Sequence, residues 1–146
     1  MNERVTAQYP FYCSMKVQLR FNDIDMVGHI NNSVYFELFD LAKSDYFSRV
    51  RHKELEWTSI PVMVVNINCN FYTQTFFNEP LEVRTQTEKI GNKSFTLLQQ
   101  LVNIATGEVK CECRSTMVYI DLSSFTPTRV AQDWRDAMVN FEQREM

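Results

Sequence analysis

The chain has 146 residues, of which 45% are hydrophobic and 23% charged, so it is long enough for a sizeable core and disorder is not expected. Fifteen basic and 18 acidic residues give a net charge of −3, without the basic run that a nucleic-acid-binding face requires. No stretch approaches the ~20 apolar residues of a membrane-spanning helix. We therefore expect one domain over residues 1–146, with no nucleic-acid partner and no membrane span.

The N-terminal residues and the cysteines both bear on the cellular compartment. Residues 1–15 are polar and interrupted by Pro10, unlike a signal peptide, so we expect a cytoplasmic protein. In a reduced compartment the four cysteines are most simply small buried hydrophobic residues. Cys111 and Cys113 share one face of a predicted strand, but no second Cys/His pair is close in sequence, so no metal site is expected.

The first predicted elements are a strand and a long helix. Apolar and polar residues alternate from Met15 to Phe21, which predicts a strand with one buried face. After a glycine-containing loop, apolar residues recur at intervals of three and four from about Ser33 to Val50, the pattern of a helix. Aromatic residues on its other faces indicate a helix buried on more than one side. Asn31 or Asn32 is expected to cap its N-terminus.

Four consecutive strands are predicted after this helix. They follow Pro61 and then cover residues 81–88, 95–103 and 109–120, with a hairpin turn at Gly91-Asn92. Thr126-Pro127 is expected to open a closing amphipathic helix. Together these elements predict the α+β class, with an antiparallel five-stranded sheet wrapped around one long central helix and a short C-terminal helix. A second copy would cover the open edges of so small a sheet, so a homodimer or homotetramer is expected.

The loop before the long helix concentrates the chemically suggestive groups of the chain. It reads Asp23-Ile24-Asp25-Met26-Val27-Gly28-His29-Ile30-Asn31-Asn32. The first turn of a helix has four unpaired N–H donors and a partial positive charge, so an oxygen that acquires negative charge is stabilised there. The loop therefore predicts a carboxylate-based acyl-transfer site. A calcium loop is excluded, because its fifth and twelfth positions would be Val27 and Val34, which supply no side-chain oxygen.

The same residues resemble a known family. Asp-x-Asp-x-x-Gly-His-x-Asn-Asn at positions 23–32, followed by Tyr35 and an acidic residue in the helix, resembles the hotdog-fold acyl-CoA thioesterases. The most similar group is the 4-hydroxybenzoyl-CoA thioesterase-like family, and the order of elements fits that fold along nearly all of residues 12–122. The resemblance implies a hotdog fold and hydrolysis of the thioester of an acyl-CoA or acyl-carrier substrate, with no metal or redox cofactor.

The resemblance also assigns catalytic roles within the loop. The second aspartate of the motif is the family's catalytic carboxylate, which falls on Asp25 as nucleophile or as general base to a water. Polarisation of the thioester carbonyl falls on Gly28 and on the backbone amide of Asn32. His29 would hold the attacking water or bond the carbonyl, with a structural histidine as the alternative. Asp23 is expected to be structural, fixing the loop or pairing with the neighbouring Arg20.

Substrate-binding residues follow from the same resemblance. Asp40, with the basic Lys43 three residues later, echoes the family's helix pattern and is a candidate substrate contact; a buried acid paired across the core is the alternative. The family often binds the coenzyme A nucleotide near the third hairpin, which assigns Lys93 and Ser94, with a solvated turn as the alternative. The chain departs from the family where Gln74 and Asn78-Glu79 replace the usual Pro and Gly-Asp.

Two other functions stay open from the sequence. A hotdog dehydratase would use a histidine as its base. A non-catalytic module would bind acyl-CoA through the same groove without turnover.

Overall fold

The computed structural model describes residues 7–52 and 60–146, which form one antiparallel sheet and two helices. The elements in chain order are β1 (Cys13–Val17), α1 (Asn32–Arg51), β2 (Val62–Phe71), β3 (Leu81–Ile90), β4 (Ser94–Asn103), β5 (Val109–Asp121), β6 (Thr126–Pro127) and α2 (Gln132–Glu142). The predicted single domain also includes residues 1–6 and 53–59, which lie outside the described residues.

The strand order is β1-β3-β4-β5-β2, and every neighbouring pair is antiparallel. This arrangement confirms the predicted α+β hotdog architecture of five strands, a long helix and a short C-terminal helix. The two-residue β6 adds a sixth strand by pairing with the end of β5. None of the helices in the described ranges is long and apolar enough to cross a membrane.

The predicted bounds of the first strand and of the closing helix are wrong, and the first strand begins at Cys13 rather than Met15. The first strand ends at Val17 rather than Phe21, because Val17 pairs with Leu81, where β3 begins, and no β3 residue remains to continue the ladder. Thr126-Pro127 forms β6 rather than the start of a helix, because its backbone pairs with the end of β5. The closing helix begins only at Gln132.

The N-terminus of α1 is fixed by backbone groups. Asn31 occupies the predicted cap position, but its side chain makes no capping hydrogen bond. Instead its carbonyl accepts from the N–H of Val34 at 2.9 Å, and its own N–H donates to the carbonyl of Asp23 at 3.1 Å. The predicted side-chain cap is therefore wrong, although the helix begins where it was expected.

The core orients α1 along the inner face of the sheet. Near its N-terminus Val34 packs in one buried cluster with Leu81 of β3. Near its C-terminus Phe47 packs in a second cluster with Phe95 of β4 and Trp134 of α2. The helix therefore runs from the start of β3 towards the β3–β4 hairpin, and its N-terminus lies beside the segment that joins β2 to β3.

Candidate active site

The loop before α1 is anchored by a buried carboxylate. Residues 21–23 form a short 3-10 turn, and Asp23, its last residue, is buried. Its carboxylate accepts from the backbone N–H of Arg20 at 2.7 Å and pairs with the Arg20 guanidinium at 2.9 Å. Burial raises the pKa of Asp23, but the hydrogen bonds from Arg20 outweigh it and hold that pKa below its usual value. The predicted structural role of Asp23 is confirmed.

Asp25 organises the tip of the loop. Its Oδ1 accepts from the backbone N–H groups of Val27 and His29, both at 3.0 Å. Its own N–H donates to the carbonyl of His29 at 2.8 Å, and its carbonyl accepts from the N–H of Gly28 at 3.1 Å. One carboxylate oxygen therefore shapes the loop. Hydrogen bonds within the described residues use Oδ1 and leave Oδ2 of the same exposed carboxylate for other contacts.

Gly28 is required by the backbone of this turn. Its φ is +84°, in the region that favours glycine, and a Cβ built there meets nothing within 4 Å. Its N–H is engaged with the carbonyl of Asp25. Gly28 therefore supports the site through its conformation, and its predicted contact with the substrate carbonyl stays a prediction.

The wall opposite the loop is the segment 72–79 between β2 and β3. The N–H of Ile30 donates to the carbonyl of Thr75 at 3.2 Å, and His29 forms an antiparallel bridge with Phe76. The rings of His29 and Phe76 also meet edge to face at 5.3 Å. The loop and the segment thus hold each other in register.

These elements enclose a pocket of about 360 Å³. Its lining comprises Asp25, His29, Ile30, Asn32, Tyr35 and residues 71–75. It brings together three of the predicted catalytic residues, namely the carboxylate of Asp25, the imidazole of His29 and the start of α1 at Asn32. As the first helical residue, Asn32 has a backbone N–H with no acceptor inside the helix.

A pair of hydroxyl groups at the back of the pocket was not predicted. Tyr35 donates its hydroxyl to Thr75 Oγ1 at 2.9 Å, and its ring meets Phe71 edge to face at 5.1 Å. Both Tyr35 and Thr75 are buried, and burial raises the pKa of Tyr35. The sequence places Tyr35 next to the motif, but Thr75 lies 40 residues away and carries no local signal.

Comparison with known proteins identifies the family. Residues 19–139 match the model of a family described as the Thioesterase-like superfamily. The chain belongs to this superfamily. Among curated proteins, the long-chain acyl-CoA thioesterase FadM of Escherichia coli strain K12 is 27% identical over 112 residues, which cover 75% of this chain and 83% of FadM.

Solved structures of other thioesterases share the fold of this chain. A thioesterase of Thermus thermophilus, solved with coenzyme A and Zn, superposes with a TM-score of 0.83 at 21% identity, covering 93% of this chain and 98% of that one. YbaW, a probable thioesterase of Escherichia coli, gives a TM-score of 0.73 at 23% identity, covering 88% and 98%. The predicted resemblance is confirmed, and with it a thioester hydrolase of the hotdog fold.

Asp40 lies outside the pocket. Its side chain is 68% exposed and pairs with Lys43 of the same helix at 3.1 Å. The expectation of a buried acid paired across the core is wrong, because Asp40 lies on the flank of α1 with the exposed Phe36 and Leu41. It is eight residues beyond Asn32, about 12 Å along the helix axis. A contact between Asp40 and substrate stays a prediction.

Lys93 and Ser94 lie at the opposite end of α1 from the Asp25 loop. The carbonyl of Lys93 accepts from the backbone N–H of Tyr119 on β5, and that of Ser94 accepts from the N–H of Gly91 within the β3–β4 hairpin. This hairpin adjoins the C-terminal half of α1, about 22 Å along the axis from its first residue. The structure does not bring these two residues to the pocket.

The cysteines are free, and Cys13, Cys111 and Cys113 are buried as predicted, whereas Cys69 is only half-buried, so the expectation is wrong for that residue. Burial raises the pKa of the Cys13 thiol to about 11, so it stays protonated at neutral pH. Within residues 7–52 and 60–146, no group of three or more His, Cys, Asp or Glu side chains is arranged to hold a metal ion.

Proposed function

We propose that this chain hydrolyses the thioester bond of an acyl-CoA or acyl-carrier substrate at the Asp25 pocket. The observation that carries the proposal is that one pocket is lined by both the Asp25 carboxylate and the first residue of α1. A thioester hydrolase needs both a group that delivers the nucleophile and donors for the developing oxyanion. The name of FadM and the coenzyme A in the Thermus structure support coenzyme A as the carrier.

Asp25 is the group that delivers the nucleophile in this proposal. As a general base, it takes a proton from a water that attacks the carbonyl carbon, and it returns the proton to the departing thiolate. As a nucleophile, it attacks that carbon itself, expels the thiolate and forms a mixed anhydride that water hydrolyses. The two loop hydrogen bonds to Oδ1 support either role, because they fix the carboxylate and leave Oδ2 for water or substrate.

The start of α1 supplies the oxyanion donor. The N–H of Asn32 lies at the positive end of the helix dipole, where negative charge is stabilised. One well-placed donor of this kind contributes about 2.7–4 kcal/mol to the barrier reduction. His29, in the same pocket, orients the water or the carbonyl. The reaction uses side chains, backbone N–H groups and water, so the proposal includes no metal or redox cofactor.

The proposal also includes association of the chain with a second copy of itself. No described strand pairs with the outer edge of β2, whose apolar side chains are exposed. An unpaired edge of this length favours association, which supports the predicted homodimer or homotetramer. Asp40, Lys93 and Ser94 remain proposed substrate contacts, the latter two for the coenzyme A nucleotide. A cytoplasmic location is part of the proposal.

The test is the release of free thiol from short, long and aromatic acyl-CoAs. We expect Asp25→Asn to lower kcat by about two orders of magnitude or more, the usual cost of losing a general base. Asp121→Asn is a matched control, because Asp121 also accepts two backbone N–H groups in a turn, at 2.8 and 3.3 Å, away from the pocket. Mass spectrometry of rapidly quenched enzyme distinguishes the two roles, since only the nucleophilic route leaves an acyl group on Asp25.

Other outcomes would favour the alternative functions. If His29→Ala abolishes activity while Asp25→Asn does not, the dehydratase alternative is favoured. If calorimetry shows tight acyl-CoA binding without turnover of any thioester, the chain is a binding module and the hydrolase proposal fails.

A further inference from the structure

An ion pair that is largely shielded from solvent joins the segment 72–79 to β5. The ammonium group of Lys110, on β5, lies 2.6 Å from Oε1 of Glu79, and their side chains are only 7% and 17% exposed. Glu108 contributes a second carboxylate at 2.8 Å from the same ammonium. Asn103 donates its side-chain amide to Oε1 of Glu79 at 2.9 Å. The Lys110–Glu79 pair is therefore part of a network of charged and hydrogen-bonded side chains rather than an isolated surface contact.

Lys110 holds the first part of the segment from both its backbone and its side chain. Its carbonyl accepts from the N–H groups of Tyr72 and Thr73 at 2.9 and 3.3 Å. Its ammonium donates to the carbonyl of Gln74 at 3.2 Å. Three consecutive residues of the pocket wall are thus attached to one side of the sheet by Lys110.

Glu79 holds the second part of the segment. Its Oε2 accepts from the backbone N–H of Phe76 at 2.8 Å. Phe76 is the residue that forms the bridge with His29, and the preceding Thr75 accepts from Ile30. Each step from the ion pair to the catalytic loop is therefore a direct hydrogen bond or bridge.

We propose that Lys110 and Glu79 are positioning residues of the hydrolytic site, because their ion pair fixes the segment against which the Asp25 loop is aligned. This inference rests on the proposed function. A displacement of about 1 Å at a reacting group can cost about a hundredfold in rate, so a wall anchored in this way affects catalysis without touching the substrate. Lys110 lies on β5 and Glu79 precedes β3, so neither residue belongs to the catalytic loop.

The experiment compares Lys110→Met, Glu79→Gln and the double variant. Lys110→Met leaves the Glu79 carboxylate without its cation, whereas Glu79→Gln leaves Lys110 paired with Glu108, so the double variant separates loss of the Lys110–Glu79 pair from an uncompensated charge. Glu82→Gln is the matched control, because it breaks a 2.9 Å pair with Arg84 on β3 outside the segment. The readouts are kcat and KM for acyl-CoA hydrolysis, the thermal midpoint, and hydrogen exchange at the Ile30 amide.

We expect each single variant to lower kcat by about tenfold or more, with KM within about threefold of wild type. We expect the double variant to be no worse than the more impaired single variant, since both changes release the same segment. Exchange at Ile30, whose amide is bonded to Thr75, should accelerate in all three variants. Glu82→Gln should leave kcat and this exchange unchanged.

The inference is overturned if kcat stays within about twofold of wild type while the thermal midpoint falls, since the pair then only stabilises the fold. The inference is equally overturned if the loss of kcat in the double variant is the product of the two single losses, or if Glu82→Gln lowers kcat as much. It is also overturned if hydrogen exchange at the Ile30 amide does not change. Absence of any thioesterase activity in the wild type would defeat the proposed function instead. Exchange at Ile30 would still decide whether the pair positions the loop.

Discussion

Asp25 and Gly28 act together on the geometry of the loop tip. Oδ1 of Asp25 accepts hydrogen bonds from two backbone N–H groups, and the turn closes only because Gly28 adopts a φ of +84°. For a residue with a Cβ, this conformation costs about 1–2 kcal/mol. The position of the Asp25 carboxylate and the identity of residue 28 are therefore coupled.

Replacing Gly28 by alanine tests this coupling, with Gly107→Ala as the control. Gly107, in the β4–β5 turn, also has a positive φ of +74°, and a Cβ at either glycine meets nothing within 4 Å. We expect both variants to lose about 1–2 kcal/mol of stability in urea unfolding, because both force a side chain into the left-handed region. Only Gly28→Ala should also lower kcat/KM. Equal activity in the two variants would contradict a role of Gly28 in placing Asp25.

At the scale of elements, α2 is attached to the core by a buried carboxylate. Glu142 near its C-terminus accepts from the hydroxyl of Tyr46 at 2.7 Å and from the backbone N–H of Thr87 at 3.1 Å. Burial raises the pKa of Glu142 above its usual 4.5, although these hydrogen bonds and the charge of Arg144 oppose the shift. The folded protein therefore binds this proton more tightly than the unfolded chain does.

The raised pKa predicts the direction of a pH dependence. The contribution of Glu142 is fully present below pH 4.5 and is lost as the pH rises through the raised pKa, because the unfolded chain deprotonates first. Glu142→Gln keeps an oxygen acceptor and cannot ionise, so its stability relative to wild type should increase over that range. Thermal midpoints measured across the range check this, with Glu145→Gln, an exposed position, as the control. Parallel profiles for wild type and Glu142→Gln would contradict it.

Local patterns predicted the elements better than their ends. Alternation identified β1, β2, β3 and β5, and the three-four spacing identified α1, whereas β4 is buried on both faces and its sequence does not alternate. The end of β1 depends on where its partner β3 begins, which the sequence of β1 does not contain. Thr126-Pro127 carries a helix-start signal, yet pairing with β5 decides its conformation.

At the scale of the whole molecule, the candidate site divides into a predictable half and an unpredictable half. The loop of Asp25, Gly28, His29 and Asn32 is contiguous in sequence, so the motif and the helix start reveal it together. The facing wall combines Thr75 with Lys110 of β5, which only the folded sheet brings together. The alternative of a buried Asp40 paired across the core was wrong for a similar reason, because helical periodicity does not say which flank of α1 the sheet leaves uncovered.

The exposed edge of the sheet gives the last prediction. Ile67 lies in the middle of the edge strand β2, which pairs with β5 on one side only, and is 41% exposed; a lysine at an edge strand opposes strand-to-strand pairing. We expect wild type to sediment as a dimer or tetramer and Ile67→Lys to shift towards the monomer mass. Leu122→Lys, at a position 40% exposed just beyond β5, should leave the mass unchanged.

Activity measured on the same samples tells whether the second copy matters for hydrolysis. Because the pocket of one chain lacks Lys93 and Ser94, a contact with the far end of a bound acyl-CoA is the contribution that a second copy is most suited to make. We therefore expect the Ile67→Lys monomer to show a raised KM for acyl-CoA, with the Asp25 loop intact. A monomeric wild type of full activity would contradict the role of the β2 edge and leave catalysis to the single chain.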